Sequence, residues 1–255
     1  MQNNIKKNLL NFSNILICLL PFALLTGPLV PEIIIFILSL IFLYISVIEK
    51  KWHYYKNGYI YFILTFYLYL CTRSLFADDL LFSLKSSLIY FRFGLFSIAI
   101  WFFIDNSKNL IRYFAISFLF TFILAIIDGY YQFFNSANLF NIVSRDYRMS
   151  LLLNDNTSLG NYLARMFPLL FGVLIYSFPK SRKNIFLLFL LFILTDLLIY
   201  LSGERTALGL LVLSSFFIII FINEYKRTRI LALIFSLAMI VSVSIIYPDI
   251  KEQNI

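Results

Sequence analysis

The chain reads as an all-α integral membrane protein, a polytopic bundle of roughly nine transmembrane helices with a cytoplasmic N-terminus. Apolar residues make up 61% of its 255 positions and only 13% are charged, against roughly 45–50% apolar residues in soluble domains. Its mean hydropathy is +0.87, more greasy surface than a soluble fold of this size can hide. Thirty Phe and seventeen Tyr stand beside only eight Gly, which favours thick aromatic helices over the short alternating strands and turns of a porin-type barrel.

A spanning helix needs about 20 apolar residues. On that measure segments fall near 9–26, 31–48, 58–75, 80–103, 110–134, 156–178, 185–203, 205–222 and 229–247. Lys6 and Lys7 precede the first apolar run in the manner of a secretory signal. The Thr26–Pro31 stretch has no A-x-A-like site and a second long segment follows at once, so the first segment reads as an uncleaved helix. Gly27 to Pro31 and Ser202 to Glu204 are joints too short for anything but antiparallel hairpins. With no composition shift, repeat or low-complexity tract, the chain reads as one transmembrane domain over 1–255.

Orientation follows from the cations, because cytoplasmic loops carry the excess of Lys and Arg. After the N-terminal pair, every second loop holds one cluster: Lys50, Lys51 and Lys56; Lys108 and Arg112; Lys180, Arg182 and Lys183; Lys226, Arg227 and Arg229. The intervening loops hold Glu32, Asp78, Asp79, Asp146 and Asp155 instead. The net charge of +8 is therefore distributed between apolar runs, and no nucleic-acid partner is expected, since that needs a basic patch on one solvated face. Cys18 and Cys71 lie inside apolar stretches, with neither disulfide nor metal spacing. The single histidine, His53, falls in a Lys- and Tyr-rich loop on the cytoplasmic side and reads as a surface residue.

Against this pattern some charges stand out. An ionisable residue within the bilayer costs about 2.5–3.5 kcal/mol on insertion scales and faces a cavity or a partner. Arg92 in the fourth segment and Asp196 in the seventh lie at similar depth and are expected to pair. Asp128 lies near the end of the fifth segment with Gln132 one turn on. Thr157, Asn161 and Arg165 recur every fourth residue of the sixth segment and so form one polar stripe descending from the outer surface. Asp155 or Asn156 before it also reads as ordinary N-capping. The outer-side turn Ser202-Gly203-Glu204-Arg205-Thr206 opens the eighth segment. There a guanidinium fork and free helix N–H groups suit a phosphate, unless Arg205 is neutralised by Glu204.

Asp128-Gly129-Tyr130-Tyr131-Gln132, the Arg-bearing loop with Arg145 and Arg148, Asn161-Tyr162-Leu163 followed by Pro168-Leu169-Leu170, and the S-G-x-R-T turn resemble, in order and spacing, the O-antigen ligase and polymerase family. The resemblance covers about residues 120–215; the first hundred residues match in hydropathy alone. It implies transfer of a glycan from an undecaprenyl-pyrophosphate carrier to a lipid A-core or growing polysaccharide acceptor, on the periplasmic face of a bacterial inner membrane, without cofactor or required metal. It also implies that Arg205 engages the carrier's pyrophosphate and serves catalysis, with Arg148, Arg165, Asn161, Asp128 and Gln132 as substrate contacts. Family members carry a large periplasmic loop with a further arginine and a histidine. This sequence stops where that loop begins, so the expectation is a truncated chain with an incomplete catalytic set. Two other readings remain open: a transporter or flippase of lipid-linked sugars lined by Arg92, Asp196 and Arg165, and a non-catalytic membrane scaffold.

Overall fold

The computed structural model describes residues 2–141, 149–152 and 158–246. Ten α-helices follow one another with no strand among the described residues: α1 (Gln2–Ala23), α2 (Leu29–Ile48), α3 (Gly58–Ser74), α4 (Leu80–Ile89), α5 (Phe91–Asn106), α6 (Leu110–Asn135), α7 (Leu159–Ser177), α8 (Arg182–Leu201), α9 (Arg205–Phe221) and α10 (Lys226–Ile246). Among the described residues seven spans are long and apolar enough to cross a membrane, α4 and α5 counting together as Leu80–Asn106. Helices α3 and α9 have 17 residues each, which at about 1.5 Å per residue leaves them a little short of a roughly 30 Å hydrocarbon core. The chain is an all-α polytopic membrane bundle, as its composition requires.

The first helix begins at Gln2, seven residues before its expected bound, and two further boundaries differ from expectation for local reasons. The segment expected at 80–103 is interrupted at Tyr90, where Tyr90 N–H donates to Ser87 O and Phe93 N–H to Tyr90 O, a tightened turn of i→i−3 bonds. Arg92 consequently lies in the first turn of α5 instead of mid-helix. The last helix begins at Lys226, which draws Arg229, expected in a cytoplasmic loop, into its first turn.

The helices sort into two compact units, residues 1–20 with 28–110 and residues 21–27 with 111–255. In the first, α2 packs on α5 around an aromatic cluster. Phe42 and Phe102 lie 5.4 Å apart, and Tyr54, from the turn after α2, lies 5.4 Å from Phe102 and 5.2 Å from Trp101. Such edge and tilted pairs add to the burial itself. Tyr54 donates its hydroxyl to Asp105 Oδ2 at 3.0 Å; burial, and then that carboxylate, push the phenol up to about 12. His53 beside it is exposed. Arg92 pairs with Glu32 at the start of α2, its Nη2 donating to Oε1 at 2.7 Å, so its expected partner Asp196 is replaced by a carboxylate of its own unit.

The second unit is built on a ladder of rings from three helices. Phe122 of α6 lies 6.1 Å from Phe167 of α7, and Phe192 of α8 lies 5.1 Å from Phe167 and 5.4 Å from Phe171. Beside it, Asp196 of α8 meets Arg229 of α10 as a two-pronged pair, with Nη1 donating to Oδ2 at 2.8 Å and Nη2 to Oδ1 at 3.0 Å. Neither side chain is more than 1% exposed. Ser236 donates to the carboxylate, and the guanidinium donates to Ser215 of α9. The guanidinium also lies over the Phe192 ring at 4.6 Å, a cation–π placement. One pair thus ties α8, α9 and α10 together, and sequence spacing missed it because Arg229 sits among loop cations.

Breaking a buried pair leaves one charge stranded, at a cost of about 3–5 kcal/mol, whereas removing both halves costs far less. Asp196→Ala should therefore sharply lower the thermal midpoint of the detergent-solubilised protein. The double variant Asp196→Leu with Arg229→Met should recover most of the loss.

Candidate functional site

The S-G-E-R-T turn can be taken apart residue by residue. Ser202 closes α8, its N–H donating to Leu198 O and its hydroxyl to Ile199 O. Gly203 has φ 70°, the left-handed conformation that a glycine adopts without a Cβ penalty. Glu204 stands at the N-cap of α9, and its backbone carbonyl accepts from Ala207 N–H at 3.0 Å.

The Glu204 side chain turns away from its own helix. Its Oε1 accepts from Gly160 N–H at 2.9 Å and its Oε2 from Asn161 N–H at 3.1 Å, so it caps the first turn of α7. Ser158, the residue before that helix, makes no side-chain cap. A carboxylate on a helix N-terminus also meets a favourable dipole. The approach is close: a Cβ at position 160 would collide with Ser202 Oγ, which accounts for the glycine. Thr206 adds a third tie, donating to Asn161 Oδ1 at 2.9 Å. Helices α7 and α9 therefore start side by side.

Arg205 and Arg165 are exposed, and among the described residues no ion pair engages either. The local pairing of Arg205 with Glu204 is not made. Below the Asn161–Thr206 bond an open, mainly apolar groove runs between the two helices. It is lined by Arg165, Pro168 and Gly172 of α7 and by Leu210, Leu213 and Phe217 of α9, among others. These positions recur every three or four residues and so form one facing stripe on each helix. Pro168 has no N–H to return to the carbonyl of Ala164, and Ala164 lines the same groove. Asn161, Arg165 and Arg205 thus belong to one end of one helix pair, with Arg165 in the groove and Arg205 on the rim turn, outside the lining.

Asp128 and Gln132 go elsewhere. Both are buried near the end of α6, where Gln132 Nε2 donates to Asp128 Oδ2 at 2.6 Å. Asp128 Oδ1 accepts from Leu139 N–H, and the Gln132 amide both accepts from Ser150 N–H and donates to Ser150 O. Joined by Asn138, which donates to Leu151 O and Leu152 O, they hold Leu139 and residues 150–152 against the end of α6. Asp128 and Gln132, both expected as substrate contacts, thus bond each other and the backbone of Leu139 and Ser150. Arg145, Arg148, Thr157 and the Asp155–Asn156 cap lie outside the described residues. Among the described residues no group of three or more His, Cys, Asp or Glu side chains is placed to hold a metal ion.

Comparison with protein-family models, curated proteins and solved structures finds no match to this chain. Fold and site define its class: a multi-pass helical membrane protein with two exposed arginines at the head of an apolar interhelical groove.

Two substitutions test the construction of this corner. Glu204→Ala leaves one buried and one half-buried N–H group of α7 without their carboxylate, a loss on the order of 2 kcal/mol. Gly160→Ala forces Ser202 away. Both should lower the thermal midpoint, while Thr206→Ala, which removes one exposed bond, should change it little.

Proposed function

We propose that the protein is a membrane glycosyltransferase of the O-antigen ligase or polymerase type. It acts in the bacterial inner membrane on an undecaprenyl-pyrophosphate-linked glycan, with a lipid A-core or growing polysaccharide as acceptor. The observation that carries this reading is the cationic head of the α7–α9 groove: Arg165 lines it, and Arg205 sits exposed on the turn held to α7 by Glu204. A polyprenyl diphosphate needs a greasy furrow open to lipid and uncommitted cations at one end of it.

In the proposed reaction the acceptor hydroxyl attacks the anomeric carbon of the donor sugar. The bond from that carbon to the diphosphate oxygen breaks, its electron pair leaves on the carrier, and the hydroxyl proton is released. Negative charge grows on the diphosphate, where Arg205 is the residue to stabilise it and Arg165 the residue to hold the carrier in register. Fixed donors aimed at developing charge act without reorganisation, and a guanidinium engages two phosphate oxygens at once. The two residues that the transport reading also needs, Arg92 and Asp196, are each closed into an ion pair, which favours the transferase.

The test is complementation of ligase- and polymerase-deficient strains by the complete reading frame that contains this chain, read as polysaccharide on lipid A-core or as chain length. Removing one positioned donor costs about 100- to 1000-fold in rate. Arg205→Ala should therefore abolish visible product at normal expression, and Arg205→Lys should restore part of it. Absence of product from the well-expressed parent in both strains, or full product from Arg205→Ala, refutes the assignment.

A further inference from the structure

The first unit carries a second polar hollow, at the turn between α3 and α4. Arg73, Ser74, Asp78, Ser83 and Ser87 line it, together with Phe76. The Ser74 and Ser87 hydroxyls bond each other. Arg73 and Asp78 are both exposed, and among the described residues neither forms an ion pair. The hollow therefore presents one uncommitted cation, one uncommitted anion and a set of hydroxyls within a single small space.

The face of α3 that supplies Arg73 does not end there. Phe62, Phe66 and Leu70 precede it at helical spacing, so the four share one side of the helix. Phe62 and Phe66 line an apolar groove against Phe91 and Gly94 of α5, and Leu70 lines the polar hollow beside Arg73. A charged pocket thus caps an apolar furrow along one helix, and the helices that form it belong to a membrane bundle.

From this juxtaposition we infer that the α3–α4 corner is a binding site for a zwitterionic phospholipid with a primary ammonium headgroup, a phosphatidylethanolamine. Arg73 takes the phosphate, Asp78 and the serine hydroxyls take the ammonium, and an acyl chain lies along Leu70, Phe66 and Phe62. Charge complementarity selects this occupant. An anionic headgroup such as phosphatidylglycerol satisfies Arg73 but sets its phosphate against Asp78 with no cation in return. A choline headgroup carries the positive charge without an N–H to donate to the carboxylate. This inference is independent of the glycosyltransferase reading.

The test uses the whole purified chain, stripped of lipid and titrated by native mass spectrometry with short-chain phosphatidylethanolamine, phosphatidylcholine and phosphatidylglycerol. The ethanolamine lipid should bind about tenfold more tightly than the other two, the worth of one charge-assisted hydrogen bond. Asp78→Asn should erase that preference while leaving binding of the glycerol lipid intact or improved. Arg73→Gln should weaken all three, and Thr72→Ala, an exposed neighbour outside the hollow, should weaken none. Soluble phosphoethanolamine should compete poorly, because it lacks the chain. Equal binding of the three lipids by the parent overturns the proposal, as does a preference that survives Asp78→Asn. Phosphoethanolamine binding as tightly as the lipid overturns the role of the apolar face.

Discussion

The second unit is organised around one carboxylate. Glu204 leaves its own helix uncapped by its side chain and reaches across to the two leading N–H groups of α7. Two consequences follow from that choice. The starts of α7 and α9 are held within hydrogen-bonding distance, so the groove between them begins at a fixed point. The negative charge next to Arg205 is taken by backbone N–H groups, and among the described residues no ion pair engages the exposed guanidinium. Had Glu204 folded back on Arg205, the turn would be locally neutral and α7 would start without a cap.

The same economy governs the deeper charges. A lone ion in the bilayer is costly, and two pairs answer that cost: Asp196 with Arg229 inside α8, α9 and α10, and Arg92 with Glu32 at the starts of α5 and α2. Among the described residues Arg165 and Arg205 at one helix pair, and Arg73 and Asp78 at one turn, form no ion pair, and they lie where side chains meet solvent, headgroups or an open groove. In a membrane protein that distinction separates structure from recognition more sharply than the identity of the residue does. Arg229 is wholly buried and serves packing.

Most of the fold was legible in the sequence because length and hydropathy act locally. Runs of about 20 apolar residues must become helices in lipid, and segment after segment lies within a few residues of its expected bounds. What escaped depends on neighbours far along the chain. The break at Tyr90 is a single tightened turn with no Pro or Gly to announce it. Arg229 looked like one loop cation among three, since only the packing of α10 on α8 shows it beside Asp196. The polar stripe of Asn161 and Arg165 was readable from its spacing of four. Asp128 and Gln132 carried the same polarity at the same spacing and bond the backbone of Leu139 and Ser150 instead, neighbours that lie more than ten positions along the chain. Glu204 was visible only as a possible partner for its sequence neighbour; its true partners lie more than forty positions away.

The proposed transferase activity requires the α7–α9 groove to seat a polyprenyl chain headed by phosphate, and photolabelling measures that directly. A polyprenyl diphosphate bearing a photoreactive group on its tail, crosslinked in membranes and mapped by peptide sequencing, should label α7 and α9 around Pro168, Leu213 and Phe217. Unlabelled carrier should compete, and Arg165→Ala should remove most of the label. Label spread over all lipid-facing helices in proportion to their exposed surface, and indifferent to competitor, would contradict it.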